Sequence, residues 1–337
     1  MTKQQRINAF VKLGEQLQRR PEDLIQIIQF AQHKNPWYTP QNVERALHAI
    51  AANLTIEKLN QWLAPYPDLN STKTVGLILA GNIPLVGFHD ILCVLISGFK
   101  AKIKVSSDDA GLTTYVLNVL KQIEPSFLEA VEIVDRLKDY DLVIATGSNN
   151  TSRYFDYYFG SKPHIIRRNR NSIAVIGGQE SPSQLDALGH DIFDYFGLGC
   201  RSISKLFIPK DYPIAHFFEG IAEFSSITEH FKYNNNYDYN KSIYLINGDK
   251  HFDNGFLLLK EDERTASPLA VVYYETYETR SEVENKLNRE QENIQCIVTE
   301  IPLNVQSPTF HFGESQCPSL DDFADGVNTL DFLFANQ

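Results

Sequence analysis

The chain has little of what would tie it to a membrane, a nucleic acid or an oxidising compartment. Among 337 residues there are four cysteines, one methionine and two tryptophans. Cys93, Cys200, Cys296 and Cys317 are widely scattered, with neither a CxxC pair nor the Cys/His spacing that holds zinc, so no metal site is expected. No apolar run reaches the roughly 18 residues that a membrane span requires. The N-terminus, MTKQQRINAF, continues into an amphipathic pattern rather than an apolar secretory core, and no export signal is evident. Positive charge is scarce too: 31 Lys and Arg against 42 Asp and Glu give a formal net charge of -11, with no basic tail. A general binder of nucleic acid or anionic membrane would have to gather those few cations in one place. Repeats and low-complexity tracts are missing apart from Asn234-Asn235-Asn236, which reads as a polar surface loop. A cytoplasmic enzyme with free thiols fits these absences best.

What is present is apolar material, 43% of the residues, enough for two ordinary cores. Residues 1–65 read as helical, with Ile7, Phe10, Val11 and Leu17 at helical intervals, then Leu24, Ile27, Ile28 and Ala31 beyond a break at Pro21. A capping threonine before a first-turn proline starts another helix at Thr39-Pro40. These helices are expected to cover one face of the α/β region that begins near Thr74. From that residue the pattern becomes short apolar runs separated by amphipathic ones, which predicts a buried, largely parallel sheet with helical crossovers. Strands are expected at 75–80, 101–105, 130–134, 142–145, 165–167 and 172–176, and a helix from Pro182 to about Tyr195 leads into a cysteine loop. Beyond it, strands at 204–208, 243–246, 256–259, 269–273 and 294–298 and a helix at 214–224 predict a second α/β domain. The expected fold class is α/β: a Rossmann-type nucleotide-binding domain with the N-terminal helices (1–180), a catalytic cysteine domain (181–312) and a C-terminal segment (313–337).

Three loops at the C-terminal rim of the first sheet carry candidate chemistry. The first strand runs into Ala80-Gly81-Asn82-Ile83-Pro84-Leu85. The second carries Lys100, Lys102 and Lys104 on one side, with Lys104 at the rim where open α/β sheets bind ligands. Another strand ends in Thr146-Gly147-Ser148-Asn149 before a helix. None of these is a GxGxxG fingerprint, and a glycine and an asparagine after a strand, taken alone, are more often a plain turn than a binding site; the common rim of the three loops is what suggests a shared site. Cys200 follows two glycines in Gly197-Leu198-Gly199-Cys200, which leaves the approach to its sulfur uncrowded, and a thiolate is a strong nucleophile without a hydrolytic triad. Cys93, in the apolar run 91–96, reads as packing.

Together these motifs resemble the aldehyde dehydrogenase superfamily, and most closely its acyl-CoA reductase branch, which supplies fatty aldehyde to bacterial luciferase. Asn82-Ile83-Pro84-Leu85 is similar to the family's Asn-Phe-Pro-Leu, Lys104 to its ribose-binding lysine, Gly147-Ser148 to its Gly-Ser at the cofactor pyrophosphate, and Gly197–Cys200 to its Gly-x-x-Cys nucleophile loop. The resemblance implies Cys200 as nucleophile and the Asn82 amide with the Cys200 N–H as oxyanion hole. Departures refine it. The family's Glu-Leu-Gly-Gly-Lys segment, whose glutamate activates the hydrolytic water, is replaced here by Arg167-Arg168-Asn169-Arg170-Asn171-Ser172. Hydrolysis of an acyl-cysteine is therefore disfavoured and exchange with another thiol favoured. The Glu-Ile-Phe-Gly-Pro motif is reduced to Arg264-Thr265-Ala266-Ser267-Pro268, with Glu263 one residue before it as a substitute contact to the nicotinamide ribose. Where NAD-selective members carry a glutamate this chain has Ser107, which admits NADPH, with NADH as the alternative. Gly313–Pro318 and Asp322–Asn328 resemble closing segments of the acyl-CoA reductase branch.

The resemblance thus implies reduction of an acyl-CoA to an aldehyde with NADPH through an acyl-cysteine. Alternatives are a CoA-acylating aldehyde dehydrogenase, an acyl-phosphate reductase, and a catalytically silent nucleotide-binding subunit. The small-molecule partner is an acyl-CoA; a homodimer or a partner enzyme is compatible with the sequence. Arg167, Arg168 and Arg170 form the densest basic cluster, read either as a phosphate site or as a solvated turn.

Overall fold

The structure, a computed structural model, describes residues 1–147 and 149–337. It divides into two units, Met1–Asn169 with Pro318–Gln337, and Arg170–Cys317.

The first unit opens with four helices, α1 (Lys3–Arg19), α2 (Glu22–Lys34), α3 (Pro40–Asn53) and α4 (Ile56–Leu63). Local chemistry sets their starts. Thr2 and Gln5 form a capping box at α1, Thr39 caps α3 with Pro40 in its first turn, and Thr55 caps α4. Ile7, Phe10, Leu13 and Leu17 of α1 join Leu47, Leu59 and the sheet residues Val75, Leu77 and Ile103 in one core. The helical layer therefore covers the sheet, and that burial holds helices too short to persist alone.

The sheet is built from β1 (Thr74–Ile78), α5 (Phe88–Ile96), β2 (Lys100–Lys104), α6 (Leu112–Ile123), α7 (Phe127–Ala130), β3 (Val131–Ile133), β4 (Leu142–Thr146), α8 (Asn149–Phe159) and β5 (His164–Arg167). Its order is β3-β2-β1-β4-β5, and every pair is parallel. Connections run one way from β1 through β2 to β3 and then jump back to β4 beside β1. At that reversal the loops leaving the strands' C-terminal ends diverge and leave a crevice.

The second unit contains β6 (Asn171–Val175), α9 (Pro182–Phe193), β7 (Ile203–Pro209), α10 (Ile214–Gly220), α11 (Phe231–Asn247), β8 (Phe252–Asp253), β9 (Leu258–Glu261), β10 (Val271–Tyr277), α12 (Arg280–Arg289), β11 (Ile294–Thr299) and β12 (Thr309–Phe310). They form a seven-stranded sheet ordered β12-β11-β6-β7-β10-β9-β8, in which β8 runs antiparallel to β9. From the sequence, domain boundaries are expected after residues 180 and 312. In the structure β6 pairs with β7 and β11, which draws the first division back to Asn169. The last helix, Thr329–Ala335, sends Leu330 and Leu333 into the core of the first unit.

One region departs from expectation. The strand expected at 243–246 and the loop expected at Asn234–Asn236 are both part of helix α11. Its buried residues are Tyr233, Tyr237, Asn240 and Tyr244, spaced at helical intervals along one face. An aromatic and amide stripe, rather than an aliphatic one, holds it.

Candidate active site

The crevice at the end of the first sheet is a cavity of about 840 Å³, within the roughly 300–1,000 Å³ typical of small-molecule sites. The ends of β1, β2, β3 and β4 all contribute, through Ala80, Lys104, Ser107, Asp135, Thr146 and Gly147 among others. Three expected cofactor residues, Lys104, Ser107 and Gly147, therefore share one cavity. Lys104 is exposed and reaches the rim, whereas Lys102 lies back along β2, 3.9 Å from Glu132 and donating to the Lys138 carbonyl. A Cβ on Gly147 would come within 3.1 Å of Thr151 and 2.9 Å of the Phe155 ring, so a side chain there would have to push those groups of α8 aside. Ser148 lies outside the described residues.

Two carboxylates that the sequence does not single out line this cavity as well: Asp108, one residue after Ser107, and Asp135, just beyond β3. For Asp108 the available signal was its place in the same loop as Ser107.

Asn82 stands in the loop between β1 and α5 and is exposed. That loop is held from beneath by Tyr38, which is fully buried and whose hydroxyl lies 3.0 Å from the carbonyl oxygens of both Gly81 and Ile83. Tyr38 carries no local sequence signal beyond its position before the Thr39 cap.

Cys200 belongs to the second unit, in the turn that enters β7, and is half-buried. The chain reaches it through three consecutive residues in the left-handed region, Tyr195 (φ 54°), Phe196 (φ 59°) and Gly197 (φ 77°). Tyr195 and Phe196 are non-glycine residues for which that conformation costs about 1–2 kcal/mol each. Burial of Tyr195 and contact of the Phe196 ring with that of His230, 4.2 Å between centroids, hold them there. Behind Cys200, the buried Ser172 hydroxyl donates to the Cys200 carbonyl at 3.0 Å, and the Cys296 sulfur lies 3.0 Å from the same hydroxyl. Of the other thiols, Cys93 is buried, and that burial, with Asp90 nearby, pushes its pKa well above the ordinary value; Cys317 is exposed.

Glu263 is an exposed residue of the second unit, in the turn between β9 and β10. Its neighbour Arg264 ties back to Asp262 at 2.6 Å. The arginine cluster does not act as one group. Arg167 is buried against Asp90, Arg168 pairs at the surface with Asp156 at 3.0 Å, and Arg170 donates to the Ile294 carbonyl. Among the described residues no group of His, Cys, Asp and Glu is arranged to hold a metal ion, and no helix is long and apolar enough to cross a membrane.

The family profile described as acyl-CoA reductase (LuxC) matches residues 43–224, more than half of the chain. The chain belongs to the LuxC acyl-CoA reductase family. It is therefore an oxidoreductase acting on acyl or aldehyde groups. The matched span includes Asn82, Lys104, Ser107, Gly147 and Cys200 and ends before Glu263. Solved structures of similar fold are aldehyde dehydrogenases and an oxidoreductase. Aldehyde dehydrogenase 21 from Physcomitrella patens, in complex with the product succinate, is 14% identical with a TM-score of 0.71, covering 100% of this chain and 84% of that one. A Mycobacterium tuberculosis aldehyde dehydrogenase complexed with NAD+ is 11% identical, TM-score 0.66, covering 92% and 77%. An oxidoreductase from Marinobacter aquaeolei is 14% identical, TM-score 0.67, covering 89% and 73%. At these identities the likeness establishes the fold, an aldehyde-dehydrogenase-like α/β architecture. No curated protein matches the chain.

Proposed function

We propose that this LuxC-family protein reduces an acyl-CoA thioester to the aldehyde through an acyl group carried on Cys200, with NADPH as reductant and NADH as a usable alternative. The observation that carries the reading is the fate of the segment 167–172. It contains no carboxylate to activate water, and its first residue, Arg167, is committed to a buried ion pair with Asp90. Without that base an acyl-cysteine is hydrolysed inefficiently, which favours its capture by hydride or by another thiol.

In this reading the Cys200 thiolate adds to the thioester carbonyl. The Asn82 amide and the Cys200 N–H stabilise the oxyanion, and the C–S bond to CoA breaks, releasing CoA as its thiolate. Ser172, bonded to the Cys200 carbonyl, holds the turn that presents the sulfur. Reduced nicotinamide, when bound, supplies a hydride. Collapse of the Cys200 thiohemiacetal then breaks its C–S bond, freeing the aldehyde and restoring the thiolate. The dinucleotide-binding reading is supported by the 840 Å³ crevice, which Lys104 lines and where Gly147 leaves room for close backbone approach; the family resemblance assigns Lys104 the ribose hydroxyls. Glu263 is assigned the nicotinamide ribose, and Ser148 the pyrophosphate, from the family resemblance alone. NAD+ in the Mycobacterium tuberculosis structure supports a nicotinamide cofactor for this fold.

Site-resolved alkylation tests the nucleophile. Cys317 is the most accessible thiol, so access alone would make it react first. Activation predicts that Cys200 reacts faster than Cys317 with iodoacetamide at neutral pH and that octanoyl-CoA protects Cys200 alone. Faster reaction at Cys317, with no acyl-CoA protection at Cys200, would contradict the assignment.

A further inference from the structure

The segment between α2 and α3 touches two of the three candidate loops at the rim of the first sheet. Asn35, buried, donates from its side-chain amide to the Asp108 carbonyl at 3.0 Å and accepts the Trp37 N–H at 3.1 Å. Three residues on, the Tyr38 hydroxyl sits 3.0 Å from the Gly81 and Ile83 carbonyls, sharing its one proton between the carbonyl oxygens of the residues on either side of Asn82. We propose that Tyr38 is a positioning residue for the acylation step: by fixing both carbonyls that bracket Asn82, it sets the direction in which the Asn82 amide meets the developing oxyanion.

The arrangement suits that task. Tyr38 has no exposed surface, so its ring is fixed by packing, and the Thr39 cap and Pro40 behind it fix the backbone it hangs from. Burial, with Asp109 and Asp108 nearby, pushes the phenol's pKa well up, so the hydroxyl keeps its proton at any working pH. The loop it holds has no regular hydrogen-bond ladder of its own, and Leu85 within it adopts a left-handed φ of 55°. An oxyanion donor on such a loop needs support, because displacement by about 1 Å can cost a factor of about 100 in rate.

This proposal rests on the role given to Asn82 above, and a double-mutant cycle separates the two. The measurement is the rate of acyl-adduct formation from octanoyl-CoA, by rapid-mixing intact mass spectrometry, on the full-length protein. NADPH affinity by fluorescence and thermal melts accompany it. Asn82→Ala is expected to slow acylation about 100-fold. Tyr38→Phe, which keeps the ring, is expected to slow it about tenfold with NADPH affinity unchanged, and to have no further effect in the Asn82→Ala background. Equal slowing in both backgrounds, or none in the wild type, would overturn the positioning role. Wild-type acylation by Asn82→Ala would remove the oxyanion assignment and Tyr38's task with it. Should Tyr38→Phe fail to fold, Asn35→Ala loosens the same segment with Tyr38 in place; it is expected to slow acylation less, with the same dependence on Asn82, and independence from Asn82 would contradict the proposal.

Discussion

Arg167 and Asp90 face each other inside the first unit, Nη2 to Oδ1 at 2.6 Å and Nε to Oδ2 at 3.2 Å, with both side chains nearly out of water. The same guanidinium donates to the Ala324 carbonyl and to the Thr329 hydroxyl at 2.8 Å, so one side chain fastens α5, β5 and the C-terminal segment together. Removing one partner of such a pair leaves a buried charge without its counter-ion, at a cost of about 3–5 kcal/mol. Arg167→Ala is therefore expected to lower stability to urea by that order, whereas Arg168→Ala at the exposed Asp156 pair should change it by less than about 1 kcal/mol. Similar losses for the two variants would contradict this account of the cluster.

The carboxylates at the crevice proposed for the cofactor predict a change in selectivity. Asp108 follows Ser107 in the loop that would meet the adenosine ribose, where a negative charge repels a 2′-phosphate. Asp108→Asn is expected to tighten NADPH binding several-fold and leave NADH nearly unchanged, read as fluorescence enhancement of each cofactor on the free enzyme. Equal effects on both cofactors would place Asp108 away from the 2′ position.

A pH effect is expected from Asp191 of α9. Its carboxylate accepts the Gly313 and Ser315 N–H groups and the Ser315 hydroxyl, yet its complete burial outweighs these bonds and raises its pKa from 3.8 to about 6. A folded pKa above the unfolded one means that the fold binds the extra proton between these values. The contribution of this group is therefore fully present below pH 3.8 and is lost as pH rises to about 6. The melting temperature of wild type relative to Asp191→Asn is expected to fall from pH 4 to pH 6 and to level off above that. A constant difference across the range would show that the bonds, not burial, dominate.

Ser172 offers a prediction for the cysteine turn. Ser172→Ala removes the donor to the Cys200 carbonyl and leaves a neighbouring Cys296 thiol without that contact, at a cost of about 1–2 kcal/mol. Alkylation of Cys200 is expected to slow, while that of the exposed Cys317 stays the same. Unchanged Cys200 reactivity would make Ser172 a packing residue only.

Much of the first unit was legible in the sequence because its signals are local. Thr39-Pro40 announces a helix start, the alternating lysines of β2 announce a strand, and the glycine turns after β1 and β4 mark the rim. The aliphatic runs of β1 and β4 fix a parallel sheet buried on both faces. Helix α11 escaped because its buried stripe is Tyr233, Tyr237, Asn240 and Tyr244, while the β-branched Ile243 and Ile246 point outward and mimic a strand. Tyr38 escaped for another reason. Its importance comes from contacts across the fold, 43 residues apart for Tyr38 and Gly81, and no local pattern carries that information. The left-handed run at Tyr195 and Phe196 was likewise hidden, since nothing in a tyrosine or phenylalanine announces a positive φ; the packing around them imposes it.

The central claim is that Cys200 carries the acyl group. Intact-protein mass after mixing wild type and Cys200→Ala with octanoyl-CoA in the absence of cofactor tests it directly. The account predicts one acyl adduct on the wild type, none on the variant, and discharge of the adduct to aldehyde when NADPH is added. An adduct that persists in Cys200→Ala, or its absence from the wild type, would contradict it.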